Sequence, residues 1–107
     1  MNRSVGVSNF GVHHIEGLRQ AGLPLPSVNQ IELHPFQRKE DIVKYCRDND
    51  IAVMGYSPLV RGRKMDEPDV LNLAYRYNRC LIMIMLASSL GCMEIGQPRS
   101  RFSFDRV

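Results

Sequence analysis

Side chains able to make hydrogen bonds or stacking contacts lie where three short apolar runs of the sequence end. Ser8 and Asn9 follow the first run, Gln30 lies inside the second, and Tyr56 closes the third. Asparagine and glutamine amides both donate and accept hydrogen bonds, and a tyrosine ring offers a flat apolar face. These residue types are therefore suited to binding a planar ligand that carries polar groups.

Each of these residues also has a purely structural interpretation. Ser8 and Asn9 suit the cap of a helix that begins near Val12, because short polar side chains accept hydrogen bonds from free backbone N–H groups. Gln30 suits a strand position whose hydrogen bonds are satisfied, and Tyr56 suits a place in the core. The local sequence leaves both interpretations open.

No group of residues predicts nucleophilic or metal chemistry. Ser8 and Ser57 lack the Gly-x-Ser-x-Gly setting of a nucleophile elbow, and Cys46 lies inside a helical pattern. His13 and His14 are adjacent, so on a helix we expect them to point in different directions and to be poor joint ligands of a metal. A small open α/β enzyme with its own active site is therefore the least favoured interpretation.

The composition is typical of a cytoplasmic globular domain. The 107 residues are 44% hydrophobic and 23% charged, and the net charge is +3. Three cysteines without a Cys-x-x-Cys pair indicate reduced thiols rather than disulfides or zinc. The start of the sequence has no signal-peptide pattern, and the longest uncharged run, 80–93, is shorter than the roughly 20 residues that span a bilayer. Arg61, Arg63 and Lys64 predict a solvated loop, so no nucleic-acid or membrane partner is expected.

The three apolar runs predict strands, and a helical pattern follows each of them. The predicted strands are 4–7, 27–33 and 51–56. The first helix is expected from Val12 to a stop at Gly22, and the second from Phe36 to Asn49. Asp66 is the expected N-cap of the third, with Pro68 in its first turn. The apolar run 80–87 suits a strand or a buried helix equally well, because periodicity does not separate the two.

Strand–helix units of roughly two dozen residues suit parallel βαβ architecture with right-handed crossovers. Eight such units make a (β/α)₈ barrel of about 200–250 residues, and this chain has room for about four of them. The sequence pattern therefore predicts either part of a barrel or a small open α/β sheet.

Three motifs resemble the aldo-keto reductase family in their order and spacing. They are GVSNF at 6–10, VNQIELHP at 28–35 and GYSPL at 55–59, within a resemblance that covers about 3–79. In that family these runs are the fifth, sixth and seventh strands of a (β/α)₈ TIM barrel. The resemblance implies an α/β fold that is roughly the C-terminal half of the barrel. Residues 1–79 would form a partial NADP-dependent oxidoreductase domain, and 80–107 a divergent tail.

The resemblance also implies a role for six residues in binding NADPH. Ser8 and Asn9 match the pair that hydrogen-bonds the nicotinamide carboxamide, and Gln30 matches a further contact to it. Tyr56 matches the ring that stacks on the nicotinamide. Ser57 and Leu59 match residues along the pyrophosphate path. His34, before Pro35, is interpreted instead as a structural residue that fixes the end of the strand.

The family reaction is the NAD(P)H-dependent reduction of aldehydes and ketones to alcohols, and its catalytic Asp, Tyr, Lys and His lie on the first four strands. No residue here matches these four, and Tyr45, Tyr75 and Tyr77 fall in helical stretches. The resemblance therefore implies an oxidoreductase-like chain that is inactive alone. The alternative is a cofactor-binding or protein-pairing module that associates with an intact reductase chain or with itself. Pro98, Arg99 and Ser100 fall near the family's 2′-phosphate segment, but the mismatch around them favours coincidence.

Overall fold

The computed structural model describes residues 3–93, in which strands and helices alternate along the chain. The elements are β1 (Gly6–Ser8), α1 (Val12–Gln20), β2 (Val28–Glu32), α2 (Glu40–Asp48), β3 (Ala52–Tyr56), α3 (Pro68–Tyr77) and α4 (Leu81–Met93), with a short 3₁₀ turn at Val60–Gly62. No helix in this range is both long and apolar enough to cross a membrane. Residues 98–100, the faint phosphate motif, lie outside the described residues.

The strands form one parallel sheet in the order β1-β2-β3. Gly6 is in register with Val28, and Val28 is in register with Ala52. Parallel neighbours need a crossover connection, and α1 and α2 supply the two that this sheet requires. The prediction of an α/β fold with parallel strands is therefore confirmed.

The helices cover one face of the sheet and build the core there. Because side chains alternate along a strand, Ile31 and Leu33 of the β2 segment both turn toward α2, where they pack with Val43. A second cluster joins Ile15 of α1 to Cys46 of α2 and to Ile51. Burying an aliphatic side chain of this size stabilises a fold by about 1.5–3 kcal/mol, so these two clusters hold the helices on the sheet.

Among residues 3–93, no element covers the row of side chains at the middle of the opposite, open face of the sheet. Ser8, Gln30 and Met54 share one row across the three strands and are exposed. Met54 keeps 52% of its surface accessible, although it lies in the middle of β3. A closed barrel fills the equivalent face with side chains from its remaining strands. The sheet thus has the two-sided pattern of a barrel wall.

Two predicted helix starts are wrong. The second helix begins at Glu40 and not at Phe36, because His34 and Gln37 pair their backbones in a tight bridge and Lys39 then takes a left-handed conformation with φ of 44°. The third helix is capped by Glu67 rather than Asp66, with Pro68 in its first turn as predicted. Local backbone pairing overrides the hydrophobic period in the first case.

The apolar run that began at Cys80 forms a helix. Met85 and Ser89 of α4 are buried, and the Ser89 hydroxyl donates a hydrogen bond to the Pro58 carbonyl 3.0 Å away. The outer side of the same helix exposes apolar side chains, of which Met83 is 53% accessible. α4 therefore packs on the loop that follows β3. The expected division of the chain at residue 79 stays a prediction.

Candidate functional site

The carboxyl end of β1 is held against β2 by two hydrogen bonds to one carbonyl. The Asn9 backbone N–H donates to the Gln30 carbonyl at 2.8 Å, and the Ser8 hydroxyl donates to the same oxygen at 3.1 Å. Asn9 itself has a φ of 58°, in the left-handed region that asparagine tolerates better than most residues. The strand ends here, and the Asn9 side chain turns toward the sheet end.

A chain of hydrogen bonds connects the outer strands. The Tyr56 hydroxyl donates to Asn9 Oδ1 at 2.9 Å, and Asn9 Nδ2 donates to Ser8 Oγ at 3.4 Å. Tyr56 lies at the end of β3, in register with Glu32 of β2. Its side chain therefore crosses the end of the central strand to reach β1. Three of the predicted site residues are thus in contact.

Gln30 lies beside this cluster, but its side chain makes no hydrogen bond to the other members. Its side chain is exposed in the row between Ser8 and Met54. Within residues 3–93 its amide has no hydrogen-bond partner, so both its donor and its acceptor groups are available. Within this range no protein group satisfies the Gln30 amide, which is left to solvent or to a ligand, and its role in cofactor binding stays a prediction.

The structural interpretations of Ser8, Asn9 and Tyr56 are wrong. The residue that caps α1 is Gly11, with the His14 ring nitrogen Nδ1 accepting the Gly11 N–H at 3.0 Å, so neither Ser8 nor Asn9 is the cap. Tyr56 is only half-buried and belongs to neither core cluster. Ser8 and Asn9 therefore do not cap α1, and Tyr56 is not a core residue.

Ser57 and Leu59 lie in the loop after β3. Ser57 has a φ of 54°, and its carbonyl accepts the Val60 N–H at 2.9 Å. The Leu59 carbonyl accepts the Gly62 N–H at 2.8 Å and opens the 3₁₀ turn. Within the described range, no side-chain hydrogen bond joins them to the Ser8, Asn9 and Tyr56 cluster. The fold brings the loop beside the cluster through the chain connection at Tyr56.

The histidines occupy structural positions. His34 is 4% exposed, its backbone pairs with Gln37, and its Nε2 lies 3.3 Å from Glu32 Oε1, as suits a residue that fixes a strand end. The rings of His13 and His14 lie against each other, tilted by 40° with centroids 3.8 Å apart, so the expectation that they point in different directions is wrong. Among the residues that the structure describes, no group of three His, Cys, Asp or Glu side chains is placed to hold a metal ion.

The basic loop is solvated at Arg61 and Arg63, as predicted, but Lys64 is half-buried. Arg61 and Arg63 are exposed, while Lys64 pairs with Glu67 and lies over the Phe36 ring. The hydrogen bond to Glu67 raises the pKa of the Lys64 ammonium group. Lys64 is therefore ion-paired within the protein, whereas Arg61 and Arg63 present their positive charges to solvent.

The described tyrosines outside the site are not arranged as proton donors. The Tyr45 hydroxyl donates a hydrogen bond to the Glu16 carboxylate, which raises the Tyr45 pKa above its ordinary value. Tyr75 and Tyr77 are exposed on α3 at 92% and 58%. An acid catalyst needs the opposite environment, in which a cation stabilises the phenolate.

Asn29 is a site-adjacent residue that residue-type reasoning missed. It is fully buried, and its amide bonds the backbone of Phe10, the residue after Asn9. The sequence could have predicted that Asn29 is buried, because the alternation of side chains along a strand places it on the same face as Ile31 and Leu33. A polar residue on a core-facing position must find hydrogen-bond partners.

Parallel strand–helix units with polar and aromatic side chains collected at the carboxyl ends of the strands define a class of α/β barrel protein. The model of the Aldo/keto reductase family matches residues 2–72. The chain therefore belongs to the aldo/keto reductase family.

Individual relatives agree with this assignment. An uncharacterised oxidoreductase of Schizosaccharomyces pombe is 44% identical over 89 residues, which cover 82% of this chain and 31% of that protein. Glyoxal reductase of Bacillus subtilis is 33% identical over 98 residues, which cover 92% and 36%. A crystal structure of a Bombyx mori aldo-keto reductase in complex with NADP superposes with a TM-score of 0.61 and 35% identity, over 78% of this chain and 30% of that one. The chain thus spans about a third of the length of these relatives.

Proposed function

We propose that the carboxyl ends of β1, β2 and β3 bind the nicotinamide end of NADPH, as part of a carbonyl reductase site. The observation that carries this proposal is the meeting of Ser8, Asn9, Gln30 and Tyr56 at one end of the sheet, although they are distant in sequence. NADPH supplies the hydride in such a reaction. The protein side chains bind and orient the ring.

The unused hydrogen-bonding groups fit a carboxamide. Gln30 offers a free acceptor and two N–H donors, and Asn9 Nδ2 retains one N–H beyond its bond to Ser8. A carboxamide presents the complementary set, one carbonyl oxygen and one NH₂ group. The half-buried ring of Tyr56 is anchored through its hydroxyl, which leaves ring surface for an aromatic ligand.

Ser57 and Leu59 extend the proposed site toward the cofactor's diphosphate. Both lie in the loop that starts at Tyr56, and the exposed side chains of Arg61 and Arg63 follow within the same loop. Guanidinium groups and free backbone N–H groups suit phosphate oxygens. The loop is therefore proposed as the path that the pyrophosphate follows away from the nicotinamide.

The chain alone is proposed to bind cofactor without reducing carbonyls. The Tyr56 hydroxyl donates a hydrogen bond to Asn9, and the Tyr45 hydroxyl donates one to Glu16, so neither of these two hydroxyls is bonded to a lysine. General acid catalysis typically contributes about 10²–10⁴-fold to a rate, and orientation of the substrate contributes further orders of magnitude. Without either, turnover by this chain stays near the uncatalysed rate.

Fluorescence of NADPH, titrated with the full chain, tests the proposal. We expect a saturable change that Tyr56→Ala abolishes and that Tyr75→Ala leaves intact, because Tyr75 is 92% exposed on α3 and outside the site. The same samples should consume no NADPH with glyoxal as a carbonyl substrate. A folded chain without a saturable change, or equal loss in both variants, would contradict binding at this site. Steady NADPH oxidation would contradict the inactivity.

A protein-pairing role is the second candidate, favoured by the open face and edges of the sheet. Within residues 3–93, β1 and β3 each pair only with β2, so each has one free edge. Free strand edges recruit further strands. Light scattering of the purified chain, alone and mixed with an intact aldo-keto reductase, tests this role. A monomer in both samples would exclude it.

A further inference from the structure

The side chain of Asn29 binds the backbone of Phe10 in the way that a neighbouring strand would. Its Oδ1 accepts the Phe10 N–H at 3.3 Å, and its Nδ2 donates to the Phe10 carbonyl at 2.8 Å. Both backbone groups of one residue are therefore satisfied by one amide. This contact continues the pairing of β1 with β2 beyond the last residue of β1, Ser8.

The orientation of this amide is determined by its surroundings. Asn29 is 0% exposed, and its second N–H points to the Cys46 sulfur at 3.9 Å. Rotating the amide by half a turn would place Nδ2 against the Phe10 N–H and Oδ1 against the Phe10 carbonyl, two pairings of like groups. A buried polar group left without a partner is destabilising, so the observed orientation is the stable one.

Two consecutive residues of β2 hold two consecutive residues after β1. The Gln30 carbonyl accepts the Asn9 N–H at 2.8 Å, and the Asn29 side chain holds Phe10. The peptide groups on both sides of Asn9 are thereby held in place. Asn9 is kept at a φ of 58°, a left-handed conformation that asparagine adopts more readily than most residues but seldom holds without further contacts.

We infer that Asn29 is a positioning residue for the candidate site: its grip on the Phe10 backbone holds Asn9 in the left-handed conformation that presents its amide to Tyr56 and to a ligand. Asn29 lies on the helix-covered face of the sheet, so it does not touch the ligand itself. The effect on cofactor affinity rests on the proposed NADPH site, whereas the effect on Asn9 does not.

Three variants separate this role from general stability. Asn29→Ala removes both bonds to Phe10, and Asn29→Asp keeps the acceptor but removes the donor. Val43→Ala is the control, since Val43 is 2% exposed in the core cluster with Ile31, whereas Phe10 packs against the other cluster. NMR chemical shifts of Asn9 and hydrogen exchange of the Phe10 amide are read in each variant, together with NADPH affinity and thermal stability.

In the unaltered chain we expect Asn9 to show the backbone chemical shifts of a left-handed conformation. We also expect the side-chain NH₂ hydrogens of Asn29 to exchange slowly with solvent. In Asn29→Ala we expect extended or averaged Asn9 shifts and exchange of Phe10 faster by about tenfold, as the loss of a hydrogen bond predicts. NADPH should bind about tenfold more weakly. Asn29→Asp should be intermediate, and Val43→Ala should lower the melting temperature while keeping the Asn9 shifts.

Native Asn9 shifts in Asn29→Ala, or a freely exchanging Asn29 amide in the unaltered chain, would overturn the inference. The latter measurement decides the question even if both Asn29 variants fail to fold. Unchanged NADPH affinity in a folded Asn29→Ala chain would overturn it too, provided that the unaltered chain binds. Failure of the unaltered chain to bind NADPH would instead refute the proposed function, and the Asn9 shifts would still test the positioning role.

Discussion

The Tyr56 hydroxyl donates a hydrogen bond to Asn9 Oδ1, 2.9 Å away, and so joins the ends of the two outer strands of the sheet. The two residues are 47 positions apart in the chain. The bond anchors the Tyr56 ring over the end of β2 and uses one of the two functions of the Asn9 amide. It therefore couples the aromatic part of the proposed site to its polar part.

Tyr56→Phe tests that coupling. The variant keeps the ring and loses the hydroxyl, so we expect NADPH affinity to fall by less than about tenfold, whereas Tyr56→Ala abolishes binding. The free energy of unfolding should fall by about 0.5–1 kcal/mol, the lower part of the range for one hydrogen bond, because the bond is exposed. Fluorescence titration and urea unfolding measure the two effects. Equal loss of affinity in Tyr56→Phe and Tyr56→Ala would show that the hydroxyl, not the ring, holds the ligand.

The two faces of the sheet should respond differently to truncation. Ile31 is fully buried in the cluster with Leu33 and Val43, so Ile31→Val should cost about 0.5–1.5 kcal/mol and Ile31→Ala about 2–5 kcal/mol. Met54, 52% exposed on the open face, should tolerate Met54→Ala within about 0.5 kcal/mol. Chemical denaturation compares the three variants. A large loss in Met54→Ala would mean that the open face is covered in solution.

Gly6 lies directly beside the Val28 side chain on the open face of the sheet. A Cβ added there would lie 2.6 Å from Val28 Cγ1, so Gly6→Ala should cost about 1–3 kcal/mol through crowding. Gly17, in the middle of α1, has nothing within 4 Å of its added Cβ, and Gly17→Ala should stabilise by about 1 kcal/mol.

A double-mutant cycle identifies the cause of the Gly6 effect. Val28→Ala removes the atom that a Cβ at Gly6 would meet, so the combined variant should recover most of the stability lost in Gly6→Ala. Thermal unfolding of the two single variants and the double variant provides the coupling free energy. Additive losses would mean that crowding against Val28 is not the reason.

The Tyr45–Glu16 hydrogen bond predicts a loss of stability in alkaline solution. The bond to Glu16 raises the pKa of folded Tyr45, so the folded state favours the protonated phenol more than the unfolded state does. The contribution is therefore complete below about pH 10 and is lost as the pH rises through the folded pKa. The difference in free energy of unfolding between the unaltered chain and Tyr45→Phe should shrink above pH 10. A difference that is constant with pH would contradict the assignment, and Tyr75→Phe is the exposed control.

Regular elements were predictable where one local preference acted alone. The end of α1 at Gln20, followed by Gly22 with a φ of 70°, matches the stop expected from glycine. The start of α2 was not predictable, because the His34–Gln37 bridge competes with an equally good helical period. The run 80–87 is apolar all round, so its sequence contains no period that distinguishes a helix from a strand.

The sequence by itself determined the strand–helix order, the alternation that divides the sheet into a core face and an open face, and the residue types at the strand ends. These follow from side-chain periods and from motifs, which are local properties. Only the tertiary structure decided that Tyr56 reaches Asn9 and that buried Asn29 holds Phe10. Those contacts depend on the parallel register between the strands. The register arises from packing among residues that are distant in sequence, and not from residues that are adjacent in the chain.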